Sequence, residues 1–480
     1  MFSARFALSL HFGTNYKNII YFFEQIISMK KNLFVLLIAC FCALNVMAQK
    51  AEDENHRKVL RFDFGGGEVA EDYVGVSVSD IYSEEMGYGF EKGSHLSETV
   101  RMPKRKRKSL DALGYDFVGS ADGGAFRFSV RLPEGNYKVK VTFGDKNGTS
   151  KTTVRAENRR LMLENVTTEK GVTLTDSFNV NIRTPKLSAG NTIKLDTREW
   201  NPATGEIKTF TWDDKLTIQF NGENPCVCAI EIESLDDAVT VFVIGDSTVT
   251  DQMGGGTWAQ NLPRWLKGNL VVANHAESGQ TLKGFRFQRR WDKVMESVKP
   301  GDYLFIQLGT NDQKSRGHDP MWPADDKAGD WIRTHSDAET DYIWELAIMV
   351  VEARRHGVVP VIVSPLSKFD RKTLKPTSVM DAYGKNAGKA AELTECAFIY
   401  LWSMSKDIIN AVGEDGLKVY SDGTHTADYG GYLFSLCIAK GIKDNKLELA
   451  KYLSDDLINI DTKNPTPRFA DFKVPVEKRR

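Results

Sequence analysis

The chain has 480 residues, of which 41% are hydrophobic and 26% charged, with a formal net charge of -1. This is an ordinary globular composition, long enough for two or three domains. The near-neutral charge gives no general indication of a nucleic-acid partner or of binding to a charged membrane surface.

The N-terminal region predicts an export signal. Met29 is followed by two lysines, by an unbroken apolar run over residues 33–44, and then by the small residue Ala48. A basic segment, a short apolar segment and a small residue are typical of a secretory signal peptide, here residues 29–48. Met29 is then the true start and residues 1–28 are an upstream extension. The alternative is an N-terminal core helix.

This apolar run is too short to span a bilayer, and no second run of spanning length follows it. We therefore expect an exported protein, periplasmic or extracellular, without a transmembrane segment. Residues 37–40 also resemble a lipoprotein cleavage box. We rank lipid attachment at Cys40 second, because the apolar run continues beyond that cysteine.

Cleavage after Ala48 would leave four of the six cysteines, which an exported chain can oxidise. Two of them are only two residues apart, and in a strand their Cα atoms lie near the upper limit for a disulfide. We interpret all four mainly as small buried hydrophobic residues. The cysteines and histidines show no metal-ligand spacing, so we predict neither a metal nor another cofactor. The four are Cys226, Cys228, Cys396 and Cys437.

Residues 57–236 predict an all-β sandwich. Short runs alternate between apolar and polar residues, turn residues such as Gly65-Gly66-Gly67 separate them, and we find no long helical period. Alternation with closely spaced turns is typical of an antiparallel sandwich. The clearest predicted strands are residues 59–64, 125–132, 137–143, 216–220 and 229–233.

Three segments of this half resemble galactose-binding-like β-sandwich modules attached to carbohydrate enzymes. They are Phe62-Asp63-Phe64-Gly65, Tyr88-Gly89-Phe90 and residues 132–137. The resemblance implies a sugar-binding domain. A structural domain packed on an enzyme is the alternative.

Residues 101–108 contain a basic run with six lysines and arginines. Such a run is typical of a nuclear signal or a nucleic-acid patch. Neither function suits a protein that is exported from the cell, so we predict no nucleic-acid partner. Two interpretations stay open. One is a solvated loop, and the other is a surface that attracts an acidic polysaccharide weakly at physiological salt.

The pattern changes after this half, and residues 238–447 predict an α/β domain. Unbroken apolar runs, typical of strands buried on both faces, alternate with helical segments, of which Asp341–Arg355 is the clearest. This alternation predicts a three-layer α/β/α domain with a five-stranded parallel sheet and right-handed crossovers. The predicted strands are residues 239–244, 270–273, 303–308, 358–364 and 398–402.

Four polar segments follow predicted strands of this sheet. Gly245-Asp246-Ser247 follows the first strand, residues 276–281 follow the second, and residues 309–312 follow the third. Residues 422–425 come after the fifth strand. Because the carboxyl ends of parallel strands share one edge of a sheet, we expect the four segments to converge.

The converging residues suit acyl transfer. Ser247 supplies a nucleophilic hydroxyl, His425 a general base, and Asp422 a partner that holds the imidazole tautomer. The backbone amides of Ser247 and Gly279 and the side-chain amide of Asn311 suit an oxyanion hole. Each motif alone is more typical of a turn or a helix cap. Their joint order at the strand ends favours catalysis.

These segments resemble the four sequence blocks of the SGNH (GDSL-type) hydrolases, in the family's order over about residues 240–445. They are Gly245-Asp246-Ser247, Gly279, Gly309-Thr310-Asn311-Asp312 and Asp422-Gly423-Thr424-His425. Residues 245–249, 278–285 and 309–314 resemble the rhamnogalacturonan acetylesterases, some of which carry a β-sandwich in front. The resemblance implies a serine esterase with the same residue roles, acting on O-acetyl esters of galacturonate in pectin.

Residues 314–340 form a long insertion-like loop that suits a substrate groove. Trp322 and Trp331 would stack on sugar rings there, and Arg333 would meet a carboxylate. A lid or a packing element is the alternative. Two other functions stay open: an esterase for other acyl esters such as acetylxylan, and a carbohydrate-binding protein with a silent hydrolase domain. Residues 448–480 are a C-terminal tail without an assigned role.

Overall fold

A computed structural model describes residues 59–100, 112–195, 209–313 and 336–476. The predicted extension, the signal peptide, Cys40 and the basic run at 101–108 lie outside these ranges. No helix within them is both long enough and apolar enough to cross a membrane.

The first half folds as β-strands. Among its described residues the one helical turn is a 3₁₀ segment at Ala112–Gly114. The strands are β1 (Leu60–Phe64), β2 (Val74–Val76), β3 (Tyr88–Phe90), β4 (Leu96–Val100), β5 (Asp116–Ser120), β6 (Phe126–Arg131), β7 (Gly135–Gly144), β8 (Ser150–Ala156), β9 (Arg160–Thr168), β10 (Thr173–Ile182), β11 (Lys215–Glu223), β12 (Cys226–Val227) and β13 (Ala229–Ser234).

These strands form two five-stranded sheets, in the orders β10-β7-β13-β1-β2 and β3-β6-β11-β8-β9, and a smaller sheet β12-β5-β4. In β7, Val139 and Val141 are fully buried, and the alternating Lys138 and Lys140 are partly exposed. The ring of Phe128 packs edge-on against Phe62 and Phe64, with centroids 5.3 and 4.9 Å apart. The predicted alternation therefore places an apolar face from each sheet in one core.

The second half is the predicted α/β domain. Its strands are β14 (Val239–Gly245), β15 (Leu270–Asn274), β16 (Tyr303–Gln307), β17 (Val359–Val363), β18 (Phe369–Asp370), β19 (Lys375–Pro376) and β20 (Ala397–Ile399). Its helices are α1 (Trp258–Asn261), α2 (Leu282–Phe287), α3 (Arg290–Ser297), α4 (Asp341–Arg355), α5 (Asp381–Leu393), α6 (Leu401–Val412), α7 (Gly416–Val419) and α8 (Asp428–Asp444), with 3₁₀ turns at Leu262–Trp265, Gly413–Asp415, Glu448–Tyr452 and Phe469–Asp471.

The main sheet has five parallel strands in the order β15-β14-β16-β17-β20. The chain leaves β14 to build β15 on one side and then crosses to build β16 on the other. Successive side chains of β14 enter opposite cores, Val241 and Val243 on one face and Phe242 and Ile244 on the other. Ligand sites of parallel sheets lie at such a switch point, past the carboxyl ends of the strands.

The fifth strand is shorter than the sequence predicted. Residues 398–402 were expected to be a strand, but β20 ends at Ile399 and α6 begins at Leu401. The hydroxyl of Ser364 accepts a hydrogen bond from the Trp402 backbone N–H at 2.8 Å. This bond satisfies a donor in the first turn of the helix, so the apolar run divides between a strand and a helix.

The two halves share part of one core. Leu161, on β9 of the sandwich, is fully buried in the hydrophobic cluster that covers one face of the parallel sheet. The same cluster contains residues from beyond α8, namely Leu449, Leu453, Ile460 and Val474. Residues 448–476 are therefore packed against the α/β domain, in the region that the sequence left as a tail.

Candidate active site

Ser247 lies just past the carboxyl end of β14, at the switch point of the sheet. Gly245 ends the strand in a tight turn, where a Cβ atom would lie only 2.5 Å from Cγ2 of Val249. Asp246 fixes the turn, because its Oδ1 accepts hydrogen bonds from the backbone N–H and the hydroxyl of Thr248 at 2.9 and 2.8 Å. The side chain of Ser247 is held in a turn with little conformational freedom.

His425 bridges Ser247 and Asp422. Its Nε2 lies 2.9 Å from Ser247 Oγ, and its Nδ1 lies 2.7 Å from Asp422 Oδ2. An ionised carboxylate only accepts hydrogen bonds, so Nδ1 carries the proton in the neutral imidazole. Nε2 is then the free base, and it accepts a hydrogen bond from the serine hydroxyl.

The carboxylate of Asp422 is anchored in its own loop. Its Oδ1 accepts hydrogen bonds from the backbone N–H groups of Thr424 and His425 at 2.6 and 2.7 Å. Partial burial alone would raise the pKa of Asp422, but these bonds and the contact with the His425 ring outweigh it and lower the pKa below its usual value. Asp422 is therefore ionised at neutral pH.

The candidate oxyanion donors lie on the loops after β15 and β16. Gly279 has a φ of 82°, a left-handed conformation that favours glycine. The backbone N–H of Glu277 donates to the Gly245 carbonyl at 3.1 Å and ties this loop to the end of β14. Asn311 Nδ2 donates one hydrogen bond to the Gln280 carbonyl at 3.0 Å, which orients the amide and leaves its second N–H for another acceptor.

The structure thus joins the three predicted triad residues by direct hydrogen bonds and places the loops of the other two oxyanion donors beside them. The predicted substrate contacts Trp322, Trp331 and Arg333 lie outside the described residues and stay predictions. Within the described ranges, no group of His, Cys, Asp and Glu side chains is arranged to hold a metal ion.

Two family profiles match the chain. The GDSL-like lipase/acylhydrolase family matches residues 243–430, which contain all four loops of the site. The beta-agarase/YXIM esterase-like, galactose-binding domain-like family matches residues 60–194. The protein is a carboxylic ester hydrolase with a GDSL/SGNH acylhydrolase domain. Both resemblances seen in the sequence are confirmed.

Some relatives match most of this esterase and others match less than half of it. Esterase YxiM of Bacillus subtilis (strain 168), itself named as uncharacterized, is 26% identical over 406 residues, covering 81% of this chain and 90% of the relative. Rhamnogalacturonan acetylesterase RhgT of the same organism is 26% identical over 239 residues, covering 45% of this chain and 94% of the relative. A crystal structure of the B. subtilis YxiM protein covers 82% of this chain and 99% of that chain, with 22% identity and a TM-score of 0.40.

The cleft of this SGNH esterase has walls from both halves of the chain. A cavity of about 400 Å³ opens beside Asp422 and His425. Asn158, Thr209 and Thr211, which come from the first half, line the same cavity. The sandwich therefore forms part of the wall of the cavity beside His425.

Sequence reasoning missed the sandwich side of the cleft. Residues 157–160 stand between two alternating strands, a position typical of an exposed hairpin turn. In the structure all four are buried, with exposed fractions between 0% and 5%. The two arginines and the glutamate of this turn indicate a polar interface only when the surface that they face is known. That surface is 90 or more residues away in the chain.

A buried carboxylic acid lies behind the nucleophile turn. Asp312 is fully buried, and its Oδ1 accepts a hydrogen bond from the Leu282 backbone N–H at 3.2 Å. Burial raises the pKa of Asp312 to about 8, hydrogen bonds from Leu282 and Ser336 oppose the rise, and the nearby Asp246 adds to it. The Asp312 carboxyl group is therefore mostly neutral at pH 7.

The replacement Asp312→Asn should make stability less dependent on pH. Because the folded-state pKa of Asp312 is raised, its neutral form stabilises the fold fully below the unfolded pKa of 3.8, and this contribution is lost as the pH rises through about 8. Asparagine stays neutral, so the free energy of unfolding should fall less between about pH 5 and about pH 9 than in the wild type. Urea denaturation across this range measures the difference, with the exposed Asp471→Asn as control. If the free energy of unfolding changes with pH in parallel for the wild type and Asp312→Asn, the raised pKa of Asp312 is contradicted.

Proposed function

We propose that this esterase removes O-acetyl groups from a plant cell-wall polysaccharide, with the rhamnogalacturonan backbone of pectin as its substrate. The catalytic part of the proposal is carried by one observation. The His425 ring contacts Ser247 Oγ through one nitrogen and the Asp422 carboxylate through the other. This is the arrangement of nucleophile, base and orienting acid that acyl transfer uses.

In the proposed reaction Ser247 Oγ attacks the acetyl carbonyl carbon while His425 Nε2 takes the hydroxyl proton. The ionised Asp422 stabilises the resulting imidazolium through Nδ1. When the tetrahedral intermediate collapses, the sugar oxygen leaves with the proton from Nε2, and the acetyl group remains on the serine. Water, deprotonated by the same nitrogen, then releases acetate and restores the free hydroxyl.

The negative charge of the tetrahedral oxygen needs donors that are in place beforehand. The backbone N–H groups of Ser247 and Gly279 and the side-chain N–H of Asn311 are the proposed donors. The hydrogen bond from Asn311 to the Gln280 carbonyl supports this role, because it fixes the amide before substrate arrives. No rearrangement of the amide is then required during the reaction.

The lining of the cleft supports a sugar as the alcohol part of the ester. Among the described side chains that line the cavity beside the triad, Met253 is the one apolar member, and the others are hydroxyl, amide, carboxyl and imidazole groups. A long acyl chain would find little apolar surface to bury there. The relatives named as rhamnogalacturonan acetylesterases supply the choice of polysaccharide.

Export belongs to the same proposal. A plant polysaccharide is too large to enter a cell intact, so an enzyme that deacetylates it must meet it outside the cytoplasm. The predicted signal peptide at residues 29–48 is in keeping with this requirement. We propose a periplasmic or extracellular location.

Replacing Asn311 by alanine should lower kcat for p-nitrophenyl acetate by about 10²- to 10³-fold, as removal of one oxyanion donor does elsewhere. KM should change little, because the lost hydrogen bond forms in the transition state. Asn445→Ala is the matched control. Asn445 Nδ2 also donates to backbone carbonyls, at the end of α8 that is farthest from His425. Equal losses of kcat in the two variants would contradict the assignment of Asn311 as an oxyanion donor.

The substrate is tested by acetate release from acetylated rhamnogalacturonan, xylan and mannan, with Ser247→Ala as the inactive control. We expect the highest initial rate on rhamnogalacturonan and release no faster than the uncatalysed background with Ser247→Ala. A faster rate of acetate release from xylan would contradict rhamnogalacturonan as the substrate and indicate acetylxylan instead. A preference for butyryl or longer p-nitrophenyl esters over acetyl would indicate a different acyl group.

A further inference from the structure

The turn between β8 and β9 is the part of the sandwich that reaches the catalytic loops. Its residues Glu157 and Arg159 have φ angles of 54° and 63°, a left-handed conformation that is uncommon for residues other than glycine. The Glu157 backbone N–H donates to the Thr217 carbonyl at 2.8 Å, and the Glu157 carboxyl group accepts from the Thr217 N–H at 3.1 Å. The turn is thus fixed from inside the sandwich.

Arg159 extends from this turn and contacts three acceptors in the α/β domain. Its Nη1 donates to the carbonyls of Met253 and Gly255 at 3.4 and 2.6 Å, and its Nη2 donates to Asp428 Oδ1 at 2.6 Å. The Arg159 side chain is 5% exposed and that of Asp428 18% exposed. A buried, planar guanidinium fixes the relative positions of several acceptors better than a lysine ammonium does.

The three acceptors belong to the two loops that carry the reacting side chains. Met253 and Gly255 are on the loop that begins with Ser247. Asp428 is the first residue of α8, three positions after His425. The guanidinium of Arg159 therefore links the nucleophile loop to the histidine loop.

The two loops also touch each other beside this link. The hydroxyl of Thr426 donates to the Gly256 carbonyl. A Cβ atom on Gly256 would lie 2.7 Å from the Cα of Asp428, so the backbones are in close contact. A change in the position of either loop would be transmitted to the other at this contact, which lies one residue from His425.

The neighbours of Arg159 in the turn hold the nucleophile loop at a second place. Arg160 Nε donates to Asp251 Oδ2 at 2.6 Å, in an ion pair whose two side chains are no more than 2% exposed. Asn158 Nδ2 donates to the Asp251 carbonyl at 3.3 Å. The next residue, Gln252, donates from its side-chain amide to the carbonyl of Ser247 itself. Three consecutive sandwich residues thus bind the loop that presents the nucleophile.

We propose that Arg159 is a positioning residue for catalysis, which makes the β-sandwich a structural part of the catalytic apparatus. Arg159 holds the Ser247 loop and the His425 loop at the separation that proton transfer requires. A displacement of about 1 Å between reacting groups lowers rates by about 10²-fold. This inference rests on the proposed roles of Ser247 and His425.

The test compares Arg159→Ala and Arg159→Lys with the wild type on p-nitrophenyl acetate. Arg159→Ala should lower kcat by about 10- to 100-fold. KM should stay within about twofold, because the arginine contacts the loops and not the substrate. Arg159→Lys should recover part of the loss, since an ammonium can pair with Asp428 but cannot reproduce the fork of donors.

Glu164→Ala is the matched control. Glu164, on β9 just after this turn, accepts a hydrogen bond from Arg264 of the α/β domain at 2.9 Å, with the two side chains 16% and 18% exposed. The pair lines a different cavity, which contains none of the triad residues. This variant should lower the thermal midpoint to an extent similar to Arg159→Ala and leave kcat unchanged. An unchanged kcat in Arg159→Ala, or equal losses of kcat in both variants, would overturn the proposal.

If Arg159→Ala does not fold, Asp428→Asn gives the same information with little change in side-chain volume. It should lower kcat by a smaller factor, about 3- to 10-fold, without changing KM. A normal kcat in a folded Asp428→Asn protein would overturn the proposal. Because p-nitrophenyl acetate is the substrate throughout, failure to act on pectin would count against the proposed polysaccharide and leave this result intact.

Discussion

The hydrogen bond between Ser247 Oγ and His425 Nε2 is the contact on which the proposed active site depends. It joins residues 178 positions apart, and the parallel sheet makes it possible by bringing the ends of several strands to one edge. Asp422 fixes the imidazole through its other nitrogen, Nδ1, and is itself held by two backbone N–H groups of its own loop. The geometry for the proposed reaction thus follows from sheet topology together with one short, well-anchored loop.

The β-sandwich has a closer relation to this site than an attached binding module would have. Leu161 lies in the hydrophobic core of the α/β domain, Arg160 forms a buried ion pair with Asp251, and Arg159 links the two loops that carry Ser247 and His425. Desolvation offsets much of the attraction in buried, hydrogen-bonded charge pairs, so we attribute to these pairs a role in setting positions rather than in net stability. Such pairs suit a junction whose role is to set a geometry.

Much of the site could be predicted because its signals are local in sequence. The apolar run ending in Gly245-Asp246-Ser247 gives both the buried strand and the residue at its end, and Asp422 and His425 stand together in one loop. The roles of residues 157–160 could not be predicted, since a polar turn between alternating strands looks the same whether it faces solvent or a partner domain. The fifth strand was predicted too long because hydrophobic periodicity does not distinguish a buried strand from the first turn of a buried helix. Ser364, whose hydroxyl accepts a hydrogen bond from that turn, is distant in sequence and gave no local signal.

Reaction with diethyl p-nitrophenyl phosphate, followed by peptide mass spectrometry, tests the central claim most directly. A serine activated by His425 should displace p-nitrophenolate, and one diethylphosphoryl group should appear on the peptide that contains Ser247, in step with the loss of esterase activity. The same peptide should stay unlabelled in a folded His425→Ala variant. Labelling of a different residue that accounts for the inactivation, or full activity after Ser247 is modified, would contradict the account.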